Sequence, residues 1–464
     1  MNKWSFFLFL LLIMAFLYYS PSLHFYFTSD DFFYINFLGL KEVFSIHKDL
    51  YHYNPIFWFL MYILRDIFGP NPSVFHFITI ILHLINIILV FQLTKIILKN
   101  SKLALLSSTL FAFFFANYEV VYWVTGISTS LMVIFYLLSV MVFLSYCHRT
   151  NKKKALLFTI FSSLAILTHE YSLSLTIVCS FYLLAIEKFR RKKAVILVIP
   201  SVLTLLLFLL KKSLTTTSLF VITPSFLRVI ASVVKSTIYL FIPLPQLIDR
   251  LPKFFLPLLF IFLIIFFLGQ IHSNKKRLFL FVWIVITILT FSLTSLPQAR
   301  YFYLSFIPTV ILLTSILTDK HLIINRFKIS IILYFMVVFL GGIAFLNTQK
   351  MYWTKSSIII KKTIAQIKSS IPKIKPSINI YLVNLPDSIN GPPWNAYLFR
   401  SGLSQALEMN DVKNINQIFY VRTSSSNKIL REDLFMDQKD LNKLEDSEAF
   451  IFTYDRITES LVRQ

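Results

Sequence analysis

The feature that most limits what this chain can become is its series of long, nearly charge-free apolar runs. WSFFLFLLLIMAFLYY (4–19) and VFHFITIILHLINIILVFQL (74–93) are two of them. A helix of about 20 apolar residues is what the hydrocarbon core of a bilayer demands. Of the 464 residues, 56% are hydrophobic and 14% charged, and the charges cluster between the runs. A soluble domain has no means of hiding that much apolar surface. The chain therefore reads as an α-helical polytopic membrane protein.

The runs give candidate spans at 4–20, 74–97, 103–120, 126–147, 155–170, 172–187, 193–211, 254–271, 278–296, 302–318 and 329–347, eleven in all. The net charge is +23. It falls in the loops Lys95–Lys102, Arg149–Lys154, Lys188–Lys193, Lys275–Arg277 and Lys320–Lys328. Placing these inside, with the N-terminus, gives one consistent alternation under the positive-inside rule. A nucleic-acid-binding chain would spread its Lys and Arg over a polar face, so no nucleic-acid partner is expected. Residues 1–20 read as a retained signal anchor, since no small-x-small cleavage site follows them. Residues 226–243 carry Arg228 and Lys235 and read as an interfacial or re-entrant helix on the outer side. Counting them as a twelfth span would move the C-terminal tail inside. Cys147 and Cys179 show neither a disulfide framework nor a metal spacing.

Two domains follow. Residues 1–348 form the transmembrane domain, with an outer first loop at 21–73, where Pro55–Phe68 reads as a surface helix. Residues 349–464 form a small soluble α/β tail, expected outside the cytoplasm. In it, 350–371 reads as a Lys-rich amphipathic helix, 395–409 as a further helix, and INIYLVNLP (378–386) and FIFTY (450–454) as strands. The tail shows no catalytic motif.

Ionisable residues near a bilayer are costly and therefore informative. Outside the tail the outer-side acids are Asp30, Asp31, Glu42, Asp49, Asp66, Glu119, Glu170 and Asp249. Asp30–Asp31 sit between the first span and the apolar stretch FFYINFLGL. Adjacent carboxylates in a low dielectric repel, which suits general-base work or cation binding; a plain helix cap is the alternative. Glu119 in NYEVVYW and Glu170 in LTHEYS occupy tight turns at the membrane edge, with His169 beside Glu170. Arg300 and Tyr301, in SLPQARYFYL, suit a phosphate, because a guanidinium binds oxyanions through a planar fork. An interfacial Arg–Tyr anchor is the alternative. His76 and His83 share a helix face and read as packing residues more than metal ligands.

Several stretches in order resemble the GT-C superfamily of polytopic glycosyltransferases, in particular the protein O-mannosyltransferase-like (family 39-like) members. They are SDDFFYIN, YNPIFWFLMYILRDIFGPNPSVFHFITIILHLIN, FAFFFANYEVVYWVTGISTSL, LAILTHEYSLSL, RVIASVVKSTIYLFIPLPQL and ARYFYLSFIP. They cover about residues 1–320. Asn54, Asn117 and His169 depart from the family pattern, where Arg, His and Lys are usual.

The resemblance implies a hexosyl- or mannosyl-type transferase in the inner membrane of a bacterium. It would move a sugar with inversion from a polyprenyl-phosphate donor to a hydroxyl of a protein, lipid or glycan acceptor on the outer face. Asp30 or Asp31 would be the base, with Asp30 preferred. Glu119, Glu170, His169, Arg300, Tyr301 and His83 would line the substrate pocket, with Lys211, Lys212 and Arg228 as weaker phosphate ligands. Some branches of the superfamily use a divalent metal; this sequence demands none. The competing readings are a lipid-linked polysaccharide polymerase or ligase, and a transporter or flippase. The scarcity of glycine, 8 residues, and the absence of a repeat speak against the last.

Overall fold

A computed structural model describes residues 3–37, 39–45, 53–187, 191–214, 225–271, 274–293, 298–317, 325–371, 378–390, 394–412, 415–422, 434–437 and 449–463. Asp49 and parts of the basic loops Lys188–Lys193 and Lys320–Lys328 lie outside these residues, as do the side chains of Lys211 and Lys212.

The fold is mostly helical. Among the described residues, five helical segments are long and apolar enough to cross a membrane: Lys3–His24, Pro72–Leu98, Val124–His148, Ala299–Ile316 and Ile332–Ser370. Four shorter apolar helices accompany them: Ser101–Ala112, Glu170–Ala185, Val195–Leu207 and Phe255–Gly269. Pro72–Leu98 shows why such a helix starts and stops where it does. Asn71 accepts from the Ser73 amide at 3.1 Å, Pro72 opens the first turn, and Lys99 leaves it in the left-handed region at φ 54.

Described residues of the basic loops cap the ends of neighbouring helices. Lys276 Nζ donates to the Ile97 carbonyl at 2.9 Å and Lys154 Nζ to Ser145 at 2.8 Å. Buried Arg277 donates to the Ser315 carbonyl at 2.8 Å, and Lys193 donates to the Cys147 carbonyl. These carbonyls lie in the last turns of their helices, where the backbone has no intrahelical partner and the dipole favours a cation.

The candidate span 103–120 is broken. The helix Ser101–Ala112 ends, and a separate short helix covers Asn117–Tyr122. Asn117 bridges the break, its Nδ2 donating to the Phe111 carbonyl at 2.6 Å. The break admits the last helix: a Cβ on Gly342 would stand 2.5 Å from the Phe113 carbonyl.

The last candidate span and the amphipathic helix after it, expected as two elements, are one helix of 46 residues, Asn325–Ser370. No Pro intervenes, and its apolar face continues onto the tail. Ile359, Ile360, Ile364, Ile367 and Ile371 pack on the tail's sheet. That sheet contains β1 (Ile378–Val383), β4 (Ile415–Arg422), β5 (Leu434–Asp437), β6 (Ala449–Asp455) and β7 (Ser460–Arg463), in the order β5-β4-β1-β6-β7. All neighbours are parallel except β6 and β7. The central strand β1 and the strand β6 fall where the alternation placed them. Parallel neighbours require a crossover. The one from β1 to β4 holds a small hairpin of β2 (Ser388–Ile389) and β3 (Ala396–Tyr397), then the helix Leu403–Met409. The stretch 395–409, expected to be helical throughout, is thus helical only from Leu403. Its first half pairs elsewhere: the Leu398 amide donates to Asp387 and its carbonyl accepts from Ser29.

Candidate active site

The helix Asp30–Phe37 follows Ser29, whose φ of 47 is unusual for a non-glycine residue. Successive residues of a helix point about 100° apart, so the two aspartates face different surroundings. Asp31 is fully buried. Its Oδ2 accepts from the Thr28 amide at 3.0 Å, and its Oδ1 accepts from the Thr125 amide at 2.9 Å and hydroxyl at 2.8 Å. Burial pushes the Asp31 carboxyl up to about 7, against the pull of those three donors. Asp30 is only partly buried. Its Oδ1 accepts from the hydroxyls of Ser401 and of Ser29, the latter at 3.3 Å.

Glu119, buried in the short helix Asn117–Tyr122, meets Arg300 from the turn Ala299–Tyr301. It accepts from the Arg300 amide at 2.9 Å and from the Arg300 guanidinium. The Tyr397 hydroxyl donates to the same carboxylate at 3.0 Å. Burial raises the Tyr397 phenol well above its usual range, so it stays a neutral donor. The Arg300 guanidinium lies 4.9 Å from the ring centres of both Trp123 and Tyr301. Its Nη1 bonds Glu119 and lies 3.5 Å from the Tyr397 hydroxyl, while among the described residues Nη2 makes a 3.4 Å contact to the Tyr301 hydroxyl.

The remaining predicted residues divide. Tyr301 packs on Tyr171 at 4.5 Å, and Tyr171 stacks on His169 at 4.6 Å, so the turn holding His169 and Glu170 joins the Arg300 side through aromatic rings. His169 Nδ1 accepts from the Tyr171 amide at 3.3 Å. His83 lies elsewhere. It is buried in the helix packing, with Nδ1 at 2.7 Å from the Tyr303 hydroxyl and Nε2 at 3.2 Å from the Ala112 carbonyl. It ties three helices together. Among the described residues, no three His, Cys, Asp or Glu gather to hold a metal ion.

A second cluster stands beside the first. Asp249 pairs with Lys235 Nζ at 2.7 Å and accepts from the Tyr239 hydroxyl and from Trp394 Nε1, the latter at 2.8 Å. Burial works against the Asp249 charge; the bonds from Lys235, Tyr239 and Trp394 outweigh it and hold the carboxyl below its usual range. This fastens the helix Phe226–Phe241 to the segment after it and to the tail.

Tyr397, Ser401 and Trp394 come from a tail in which the sequence shows no motif.

No protein-family profile and no curated protein matches the chain. Solved structures do. ArnT from Cupriavidus metallidurans bound to undecaprenyl phosphate superposes with a TM-score of 0.55 at 13% identity, covering 97% of this chain and 93% of that one. The apo form gives 0.55 at 12% identity, covering 98% and 94%. Helical bundle and C-terminal tail together thus adopt the fold of that ArnT over nearly their whole length.

Proposed function

We propose that this chain is a membrane glycosyltransferase that moves a sugar, with inversion, from a polyprenyl-phosphate donor to an acceptor hydroxyl on the outer face of a bacterial cell membrane. The observation that carries this reading is the division of labour at Asp30–Asp31. Asp31 is consumed by backbone and Thr125 contacts. Asp30 is only partly buried, and its Oδ1 is oriented by two hydroxyls, as a base held in position would be. The match to ArnT with undecaprenyl phosphate bound supports a polyprenyl-phosphate partner.

In the transfer, the acceptor oxygen forms a bond to the anomeric carbon. The bond from that carbon to the phosphate oxygen breaks, and its electron pair stays on the phosphate. The acceptor proton passes to Asp30. Arg300, braced by Glu119, offers its remaining N–H groups to the developing phosphate charge. The aromatic wall of Trp123, Tyr171 and Tyr301 excludes water and gives the sugar a face to pack on, with His169 and Glu170 at its edge. A mannosyl or other hexosyl donor is the first candidate.

The test uses the full chain in proteoliposomes with undecaprenyl-phosphate-linked mannose, glucose and 4-amino-4-deoxyarabinose, following release of undecaprenyl phosphate and the anomeric form of any product. Asp30→Asn is expected to lower turnover by about 100-fold or more. Wild-type rates in that variant, or a retained anomeric configuration, would overturn the reading.

A further inference from the structure

We infer that the C-terminal α/β domain is a working part of the catalytic site, with Ser401 a positioning residue for Asp30 and Tyr397 a positioning residue for Arg300 through Glu119. The inference rests on the function proposed above.

The β1-to-β4 crossover touches the transmembrane domain at a succession of points within nine residues. Trp394 bonds Asp249, Tyr397 bonds Glu119, the Leu398 carbonyl accepts from the Ser29 amide at 2.9 Å, and Ser401 bonds Asp30. Gly402, at φ 81, lets the chain turn directly against the Ser29 carbonyl, where a Cβ would collide. These contacts are not those of a domain resting on a surface. They land on three carboxylates, Asp249, Glu119 and Asp30, and on Ser29, which helps to aim the last of them.

Two consequences follow for the chemistry. An aspartate at the first position of a helix can rotate about its side-chain bonds. Here the Ser29 and Ser401 hydroxyls, 3.3 Å apart and on different domains, both reach Oδ1 and fix its direction. The Leu398 bond also holds Ser29 in the left-handed backbone region, which a serine enters only when its surroundings insist. On the other side, Tyr397 gives Glu119 a neutral hydrogen bond and presents its ring to Trp123 at 4.8 Å, closing the cage around Arg300. Oriented groups of this kind act on rate through geometry, since small misplacement of a base or an oxyanion ligand is costly.

The roles separate kinetically. In full-length protein with whichever donor the wild type turns over, Ser401→Ala is expected to lower kcat about tenfold at unchanged donor KM, and Ser401→Thr to restore it. Tyr397→Phe is expected to raise donor KM by a similar factor while affecting kcat less. Asn36→Ala breaks a different tail contact, the 2.7 Å bond to Glu408, and is expected to behave as wild type. A wild-type kcat in Ser401→Ala, or an equal loss in Asn36→Ala, overturns the inference. Should the wild type turn over no donor, the proposed function fails on its own. Hydrogen exchange of the amides of residues 28–37 then decides the positioning: faster exchange in Ser401→Ala alone supports it, and unchanged exchange overturns it.

Discussion

Asp30 and Asp31 are chemically identical and adjacent, so their difference has to come from what each side chain meets. Asp31 meets two amides and a hydroxyl. Its replacement by Asn puts an NH2 where a carboxylate oxygen accepted, and one of the buried donors loses its partner. At the acid end, before Asp31 ionises, we expect Asp31→Asn to cost about 1–3 kcal/mol of stability, read from thermal unfolding in detergent; its loss of turnover should be smaller than that of Asp30→Asn. The same site predicts a pH effect. The Asp31 carboxyl sits at about 7 in the folded chain against an ordinary 3.8. Between those values the folded state holds a proton that the unfolded state has released, so the stability contributed by this group falls as pH rises from about 4 to about 7. Above that window its cost is constant. The stability of wild type relative to Asp31→Asn should therefore fall as pH rises through the window; a difference independent of pH would contradict the assignment. The sequence made the pair visible, because charges beside an apolar run stand out. It did not separate the two residues, since the separating contacts come from Thr125 and Ser401, 94 and 371 residues away.

Elements were legible in proportion to how local their causes are. The surface helix Pro55–Phe68 and the strands β1 and β6 follow from periodicity and flanking turns, and they appear where expected. The break after Ala112 has a distant cause, the approach of the helix Asn325–Ser370, and no local pattern announces it; the strand character of Ala396–Tyr397 comes from pairing with Ser388–Ile389. Gly342 is the residue on which that approach depends. Valine there would drive a side chain into the Phe113 carbonyl and push two helices apart. Gly342→Val is expected to destabilise the protein by about 1–3 kcal/mol; an unchanged melting temperature would show that the helices yield freely. The basic loops are a different case. The sequence assigns them a side of the membrane, and the structure adds that Lys154, Lys193, Lys276 and Arg277 each close the end of a helix. Removing Arg277, buried against Ser315, should therefore lower stability more than removing exposed Lys152.

For the molecule as a whole, the sequence carries the class and the structure carries the assembly. An apolar chain with alternating basic loops is a polytopic membrane protein on bilayer physics alone. The likeness to ArnT extends over nearly the full length, tail included, although identity is only 13%. What spacing could not reveal is that the tail completes the site, because its contacts are long-range and made by ordinary residues: a serine, a tyrosine and a tryptophan. Eleven spans, the number the alternation of basic loops gives, would place that tail outside. A phosphatase fused after Gln464 should then be active and a cytoplasmic fluorescent reporter dark; the reverse result would favour twelve.

The 46-residue helix Asn325–Ser370 gives this arrangement a further property. At about 69 Å by the helical rise, it is a single rod with one end among the spans and the other beneath the sheet. Its length and its rotational phase are therefore shared by both compartments. One residue added near Asn347 would lift the tail by about 1.5 Å and turn it by about 100°. Ser401 would then swing away from Asp30 although neither residue had changed. Chain length in that helix acts as a gauge, and the membrane sets the height from which it is read.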